Sequence, residues 1–86
     1  MSYSVKIKKV AEKFIQNQSK DTQSRILKVL SDFPPPSGVK KLKGKGNGKY
    51  FLVRVGDLRI IFTMDNEDKI VFIEAIGNRG QVYKDF

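Results

Sequence analysis

The chain has no cysteine and no histidine in its 86 residues. Without cysteine there is neither a disulfide nor a thiolate metal site, and without histidine there is no zinc-ligating imidazole and no imidazole acid-base pair. This composition suits a reducing cytoplasm. No apolar run approaches the roughly 20 residues needed to cross a bilayer. The first three residues lead directly into a strand pattern rather than a signal peptide, so a soluble protein that is not exported and uses no membrane is expected. Proline is confined to Pro34-Pro35-Pro36, which ends any preceding helix and reads as a spacer rather than a PxxP ligand. A chain this short buries only about two-thirds of its unfolded surface. It is read as one domain, residues 1–86.

Acidic residues are also scarce, nine against 17 Lys and Arg, a net charge of +8. Residues 40–59 hold Lys40, Lys41, Lys43, Lys45, Lys49, Arg54 and Arg59 against Asp57 alone, so +6 of the +8 lies in that stretch. A patch so concentrated is the electrostatic footprint of a polyanion partner, nucleic acid first and an acidic protein segment second. Gly44, Gly46 and Gly48 alternate with Lys45 and Asn47. There is no GxxxxGK[ST], and the stretch enters a strand rather than a helix, so neither nucleotide-binding fingerprint applies and no small-molecule cofactor is expected. Residues 37–49 read as a mobile cationic loop, either solvated or following a phosphate backbone.

Residues 49–64, KYFLVRVGDLRIIFTM, are two apolar runs joined by Gly56-Asp57. Glycine supplies the positive φ of a two-residue type II′ turn, so this is a hairpin whose register the turn fixes. Val55 then faces Leu58, Arg54 faces Arg59, Val53 faces Ile60, Leu52 faces Ile61 and Phe51 faces Phe62. One face carries Phe51, Val53, Val55, Leu58, Ile60, Phe62 and Met64, and needs a cover. The other sets Arg54 beside Arg59. Like charges opposed across a sheet cost about 0.2–1 kcal/mol, a cost tolerated where an anion or a buried acid lies between them. The alternative is that both are solvated or paired with Glu74.

Before the hairpin, Tyr3, Val5 and Ile7 alternate with polar residues in a short edge strand. Val10, Ala11, Phe14 and Ile15 recur at helical spacing, and Ile26, Leu27, Leu30 and Phe33 mark a second helix with Ser19 or Asp21 as its N-cap. This helical hairpin is the expected cover. After the hairpin, residues 65–69 turn and residues 69–76 form another strand. Val71, Ile73 and Ala75 are expected on one face, and Ile70, Phe72, Glu74 and Ile76 on the face of the arginines. Glu74 is therefore the best internal partner for an arginine, and Gly77 is a position where the strand can bulge.

Together, Leu42-Lys43-Gly44, Arg54-Val55-Gly56-Asp57-Leu58-Arg59, an apolar strand, Gly77-Asn78-Arg79 and Val82-Tyr83 resemble the RelE/ParE toxin superfamily of bacterial and archaeal toxin–antitoxin systems, in its RelE-like branch. The likeness spans nearly the whole chain. It implies an α+β fold, an antiparallel sheet of about four strands with an N-terminal two-helix hairpin on one face. It also implies a ribosome-dependent endoribonuclease that cuts mRNA in the A site and is held inactive by an acidic RelB-like antitoxin. Arg59, Arg79 and Tyr83 match the family's functional positions. One departure is plain: Phe51, Leu52 and Val53 are apolar where relatives carry basic side chains, leaving Arg54 alone and the general base unassigned.

Without metal or imidazole, RNA cleavage has to use the substrate's 2′-hydroxyl as nucleophile, giving a 2′,3′-cyclic phosphate and a 5′-hydroxyl. Arg59 and Arg79 would donate to the phosphate oxygens, and Arg79 is better suited to stabilising the leaving oxygen than to giving up a proton. Tyr83 would position or deprotonate the 2′-hydroxyl, since neighbouring cations favour its phenolate, or would stack on a base. Lys40, Lys41, Lys43, Lys45, Lys49 and Arg54 would bind RNA and ribosome. Two other readings need no catalysis: a ParE-like gyrase inhibitor, and a ribosome or RNA binder.

Overall fold

The structure is a computed structural model, described for residues 3–33, 39–41 and 50–78. Its centre is the expected hairpin, β3 (Phe51–Val55) and β4 (Leu58–Asp65), with Val55 opposite Leu58 and each further pair through Phe51 opposite Phe62 as the turn dictates. Gly56 has φ +58°, and Asp57 is not in the left-handed region. Positive φ at the first central position alone is the backbone sign of a type II′ turn. A Cβ on Gly56 would meet nothing within 4 Å. Gly56→Ala should therefore cost only the backbone strain, about 1–2 kcal/mol, seen as a lower urea midpoint at unchanged slope.

Around the hairpin the described residues form a sheet in the order β1-β5-β4-β3-β2, with β1 at Ser4–Ile7, β2 at Val39–Lys41 and β5 at Ile70–Asn78. Three features differ from the sequence reading. The sheet has five strands rather than about four, because Val39–Lys41, within the stretch read as a mobile loop, pairs antiparallel with β3. The edge strand β1 lies where expected but runs parallel to β5, with Val5 opposite Val71 and Ile7 opposite Ile73. Nothing in a four-residue strand specifies direction; it is set by the helices that carry the chain away from it.

The third difference is a register shift in the β4–β5 pair. Ile61 pairs with Ala75 but Phe62 pairs with Ile73, so Glu74 is an extra residue in β5. Such a bulge changes the phase of every side chain beyond it. Val71 and Ile73 before it and Ile76 after it all join the helical side, whereas Ala75 clusters with Leu52 and Ile61 on the opposite face. The bulge falls at Glu74, while Gly77 stays in register opposite Arg59.

The helices α1 (Lys9–Gln16) and α2 (Lys20–Ser31) cover the apolar face. Ser19 caps α2, its side chain accepting from the Thr22 amide. Ala11 and Ile15 of α1, and Ile26, Leu30 and Phe33 in and just after α2, pack with Val53, Leu58, Ile60, Phe62, Val71, Ile73 and Ile76 in one core. Val10 and Leu27, placed with the apolar stripes by spacing, are instead 66% and 52% exposed. On α2 the buried stripe is Ile26, Val29, Leu30 and Phe33, the i, i+3, i+4, i+7 face, and Leu27 lies off it. The turn after β4 is held by Asp65, whose carboxylate accepts from the Glu67 and Asp68 amides at 3.0 and 3.1 Å. Lys69 completes it with φ +56°.

Candidate nucleic-acid interface

The two-residue turn places Arg54 and Arg59 opposite each other at one end of the sheet. On its other side Arg59 faces Gly77, which has no side chain to crowd it. Arg54 is exposed and Arg59 half-buried, and Arg59 donates from Nη1 to the Leu58 carbonyl at 3.3 Å. Arg54, Gly56, Asp57, Arg59 and Asn78 line a cleft of about 590 Å³.

Neither arginine has a carboxylate partner among the described residues. Glu74, expected to pair with one of them, instead meets Lys8 at 2.9 Å and accepts from the Thr63 hydroxyl at 2.9 Å. The bulge and the parallel β1 bring Lys8 beside it, and Thr63 lies four residues along β4 from Arg59. The internal acid that would have made the arginine pair a structural ion pair is thus occupied elsewhere.

Next to the arginines, the middle of the same face is apolar and buried rather than open and cationic throughout. Leu52 is 4% exposed and Ile61 fully buried, and with Ala75 they form a second small cluster against which Tyr50 packs. The apolar residue types noted in the sequence at this part of β3 are thus packed there, not incidental. Lys40 stands opposite Leu52 and therefore on the arginine face, while Lys41 stands opposite Phe51; both are exposed. Lys43, Lys45, Lys49, Arg79 and Tyr83 lie outside the described residues. No cluster of metal-ligating side chains occurs among the described residues.

Two residues of this region were given no functional role from the sequence. Asn78 at the end of β5 lines the arginine cleft. Arg25 of α2, with Gln18 and Thr22, lines a second cleft of about 220 Å³ on the helical side of the same turn. The available signal was rarity, since Arg25 is one of only four arginines, but its position beside the turn depends on how α2 crosses the sheet.

The family profile described as the ParE toxin of type II toxin–antitoxin systems, parDE, matches residues 5–83. The chain belongs to this family, within the RelE/ParE superfamily. Among solved structures, the archaeal RelE–RelB complex from Pyrococcus horikoshii OT3 is similar at 32% identity and TM-score 0.74, over 94% of this chain and 99% of that one. The RelBE2 toxin–antitoxin complex of Mycobacterium tuberculosis shares the fold with TM-score 0.80 at 18% identity, over 92% and 100% of the two chains. The isolated RelE toxin of E. coli shares it with TM-score 0.62 at 17% identity, over 98% and 94%. No curated protein sequence matches the chain. No helix among the described residues is long and apolar enough to cross a membrane.

Proposed function

We propose that the protein is the toxin of a type II toxin–antitoxin pair, acting in the cytoplasm as a metal-independent, ribosome-dependent endoribonuclease on A-site mRNA. The observation that carries this reading is the Arg54–Arg59 pair, opposed across two strands with no counterion among the described residues and lining a solvent cleft. A fold that accepts this repulsion gains it back when an anion sits between the guanidinium groups, and a phosphodiester matches their paired donors. The similarity to an archaeal RelE supports RNA as that anion.

In the proposed reaction the 2′-oxygen bonds to phosphorus as the bond to the 5′-oxygen breaks. The 2′-hydroxyl loses its proton, and the leaving oxygen gains one. Arg59, with Arg79, stabilises the charge growing on the non-bridging oxygens. Tyr83 orients or deprotonates the 2′-hydroxyl. Arg54, Lys40, Lys41, Lys43, Lys45 and Lys49 hold the RNA backbone and ribosomal RNA. Control falls to an acidic RelB-like antitoxin, as the RelE–RelB complex suggests, which neutralises the arginines or displaces the segment bearing Tyr83. Mapping 5′ ends of transcripts after induced expression tests the function. New ends within translated codons are expected, and their absence would overturn it.

Neutralising Lys41, Lys43 and Lys45 together should weaken ribosome association and flatten its salt dependence, because each lost phosphate contact removes roughly 0.7–0.9 from the log–log slope. An unchanged slope would make those lysines bystanders.

A second reading, inhibition of DNA gyrase, is favoured by the ParE description of the matching family and by the buried apolar floor of Leu52, Ile61 and Ala75 beside the arginines. Such a floor holds no group that moves a proton. Loss of gyrase supercoiling activity in the presence of the protein, with transcripts intact, would select it.

A further inference from the structure

The Gly56-Asp57 turn is not the edge of a single cleft but a ridge between two. Gly56, Asp57 and Asn78 line both the larger cleft of Arg54 and Arg59 and the smaller cleft of Gln18, Thr22 and Arg25. Arg25 is exposed on α2 and has no ion pair or hydrogen bond among the described residues. Three of the chain's four arginines therefore surround one two-residue turn, each without a carboxylate partner, and Asp57 is the one acid lining either cleft among the described residues.

We propose that the Arg25 cleft is a second phosphodiester subsite. A single RNA strand held at Arg54 and Arg59 continues over the turn, and Arg25 takes a further backbone phosphate. The amides of Gln18 and Asn78 face sugar or base edges. This deepens the reading of the protein as an RNA-cleaving toxin and rests on it.

The chemistry of the cleft favours nucleic acid over an acidic peptide. A disordered peptide that folds on binding offsets its ordering entropy by burying apolar anchors. Among the described residues this cleft offers few: Leu58 is already buried and Val55 already half-covered, and the other side chains lining it are amide, hydroxyl, guanidinium and carboxylate. A phosphodiester strand needs no apolar anchor. Asp57, at the ridge, opposes any polyanion that crosses, so its removal has a predicted sign opposite to that of Arg25.

The test is fluorescence anisotropy with a labelled single-stranded oligouridylate, titrated over a range of salt concentrations. Arg25→Gln should weaken binding about fivefold at low salt, the scale of one exposed ion pair, and reduce the salt slope by about 0.7. Arg25→Lys should keep the slope, and Asp57→Asn should tighten binding. If Arg25→Gln binds like the native protein while Arg59→Gln is weakened, the second subsite is wrong and the arginine-pair site stands. Native-like binding by both variants would remove the subsite and the anion site together. Weakened binding of a poly-glutamate peptide with unchanged RNA binding would assign the cleft to an acidic protein and overturn the proposal. Should Arg25→Gln not fold, Asp57→Asn decides alone, and unchanged affinity overturns it.

Discussion

Arg59→Ala is expected to lower mRNA cleavage by about 10²–10³-fold, the cost of removing one preorganised donor to a developing oxyanion, while leaving the protein folded. The two halves of this expectation have separate origins. Arg59 opposes Arg54 across the hairpin without a carboxylate partner among the described residues, so its loss relieves a repulsion of about 0.2–1 kcal/mol. Against that stand the packing of its half-buried aliphatic stem and its 3.3 Å hydrogen bond to the Leu58 carbonyl. The terms are of similar size and opposite sign, so the thermal midpoint should move by no more than a few degrees. Cleavage of ribosome-bound mRNA, read together with a melting curve, checks both. A folded Arg59→Ala protein that cuts at the native rate would remove the arginine pair from the chemistry. Arg54→Ala, exposed and not matched to a family position, should have the smaller effect.

The largest effect on stability is expected from Phe62→Ala. Phe62 is 1% exposed, edge-on to Phe33 at 4.9 Å between ring centroids and stacked on Phe51 at 5.6 Å. It joins the hairpin to the end of α2 and, through the strand pair, to Ile73. Truncating such a ring costs about 3–5 kcal/mol, transfer and cavity terms together, against a total of about 5–15 kcal/mol for a domain. The variant should be substantially unfolded at 37 °C, or unfold at a far lower urea concentration. Leu27→Ala is the control. Spacing alone places Leu27 among the core residues, but it is 52% exposed, so its truncation should shift stability by no more than about 0.5 kcal/mol. Equal losses from the two variants would mean that α2 packs through a different face.

Local chemistry explains why so much of the hairpin was legible. A two-residue Gly-Asp turn fixes the register, and alternation with period two then assigns every side chain of β3 and β4 to a face, so the Arg54–Arg59 pairing and the apolar stripe from Phe51 to Phe62 follow from the residues themselves. The Ser19 cap is similarly local, since its hydroxyl reaches an amide three residues on. The faces of β5 were readable only up to Glu74, because an extra residue in one strand depends on what the neighbouring strand offers, and no feature within residues 70–78 announces it.

What the sequence by itself determined is therefore the absence of thiol and imidazole chemistry, the cationic stretch of residues 40–59, the hairpin register and the α+β class with a helical cover. These depend on composition and on contacts a few residues apart. Tertiary structure alone decided the parallel pairing of β1 with β5, the strand at Val39–Lys41, the capture of Glu74 by Lys8 and Thr63, and the meeting of Arg25 with the Gly56-Asp57 turn. Each brings together residues distant in the chain, Lys8 paired with Glu74 and Arg25 lining one cleft with the Gly56-Asp57 turn among them. Such a contact exists only where separate elements happen to pack, because no short-range preference of either partner encodes the other's position.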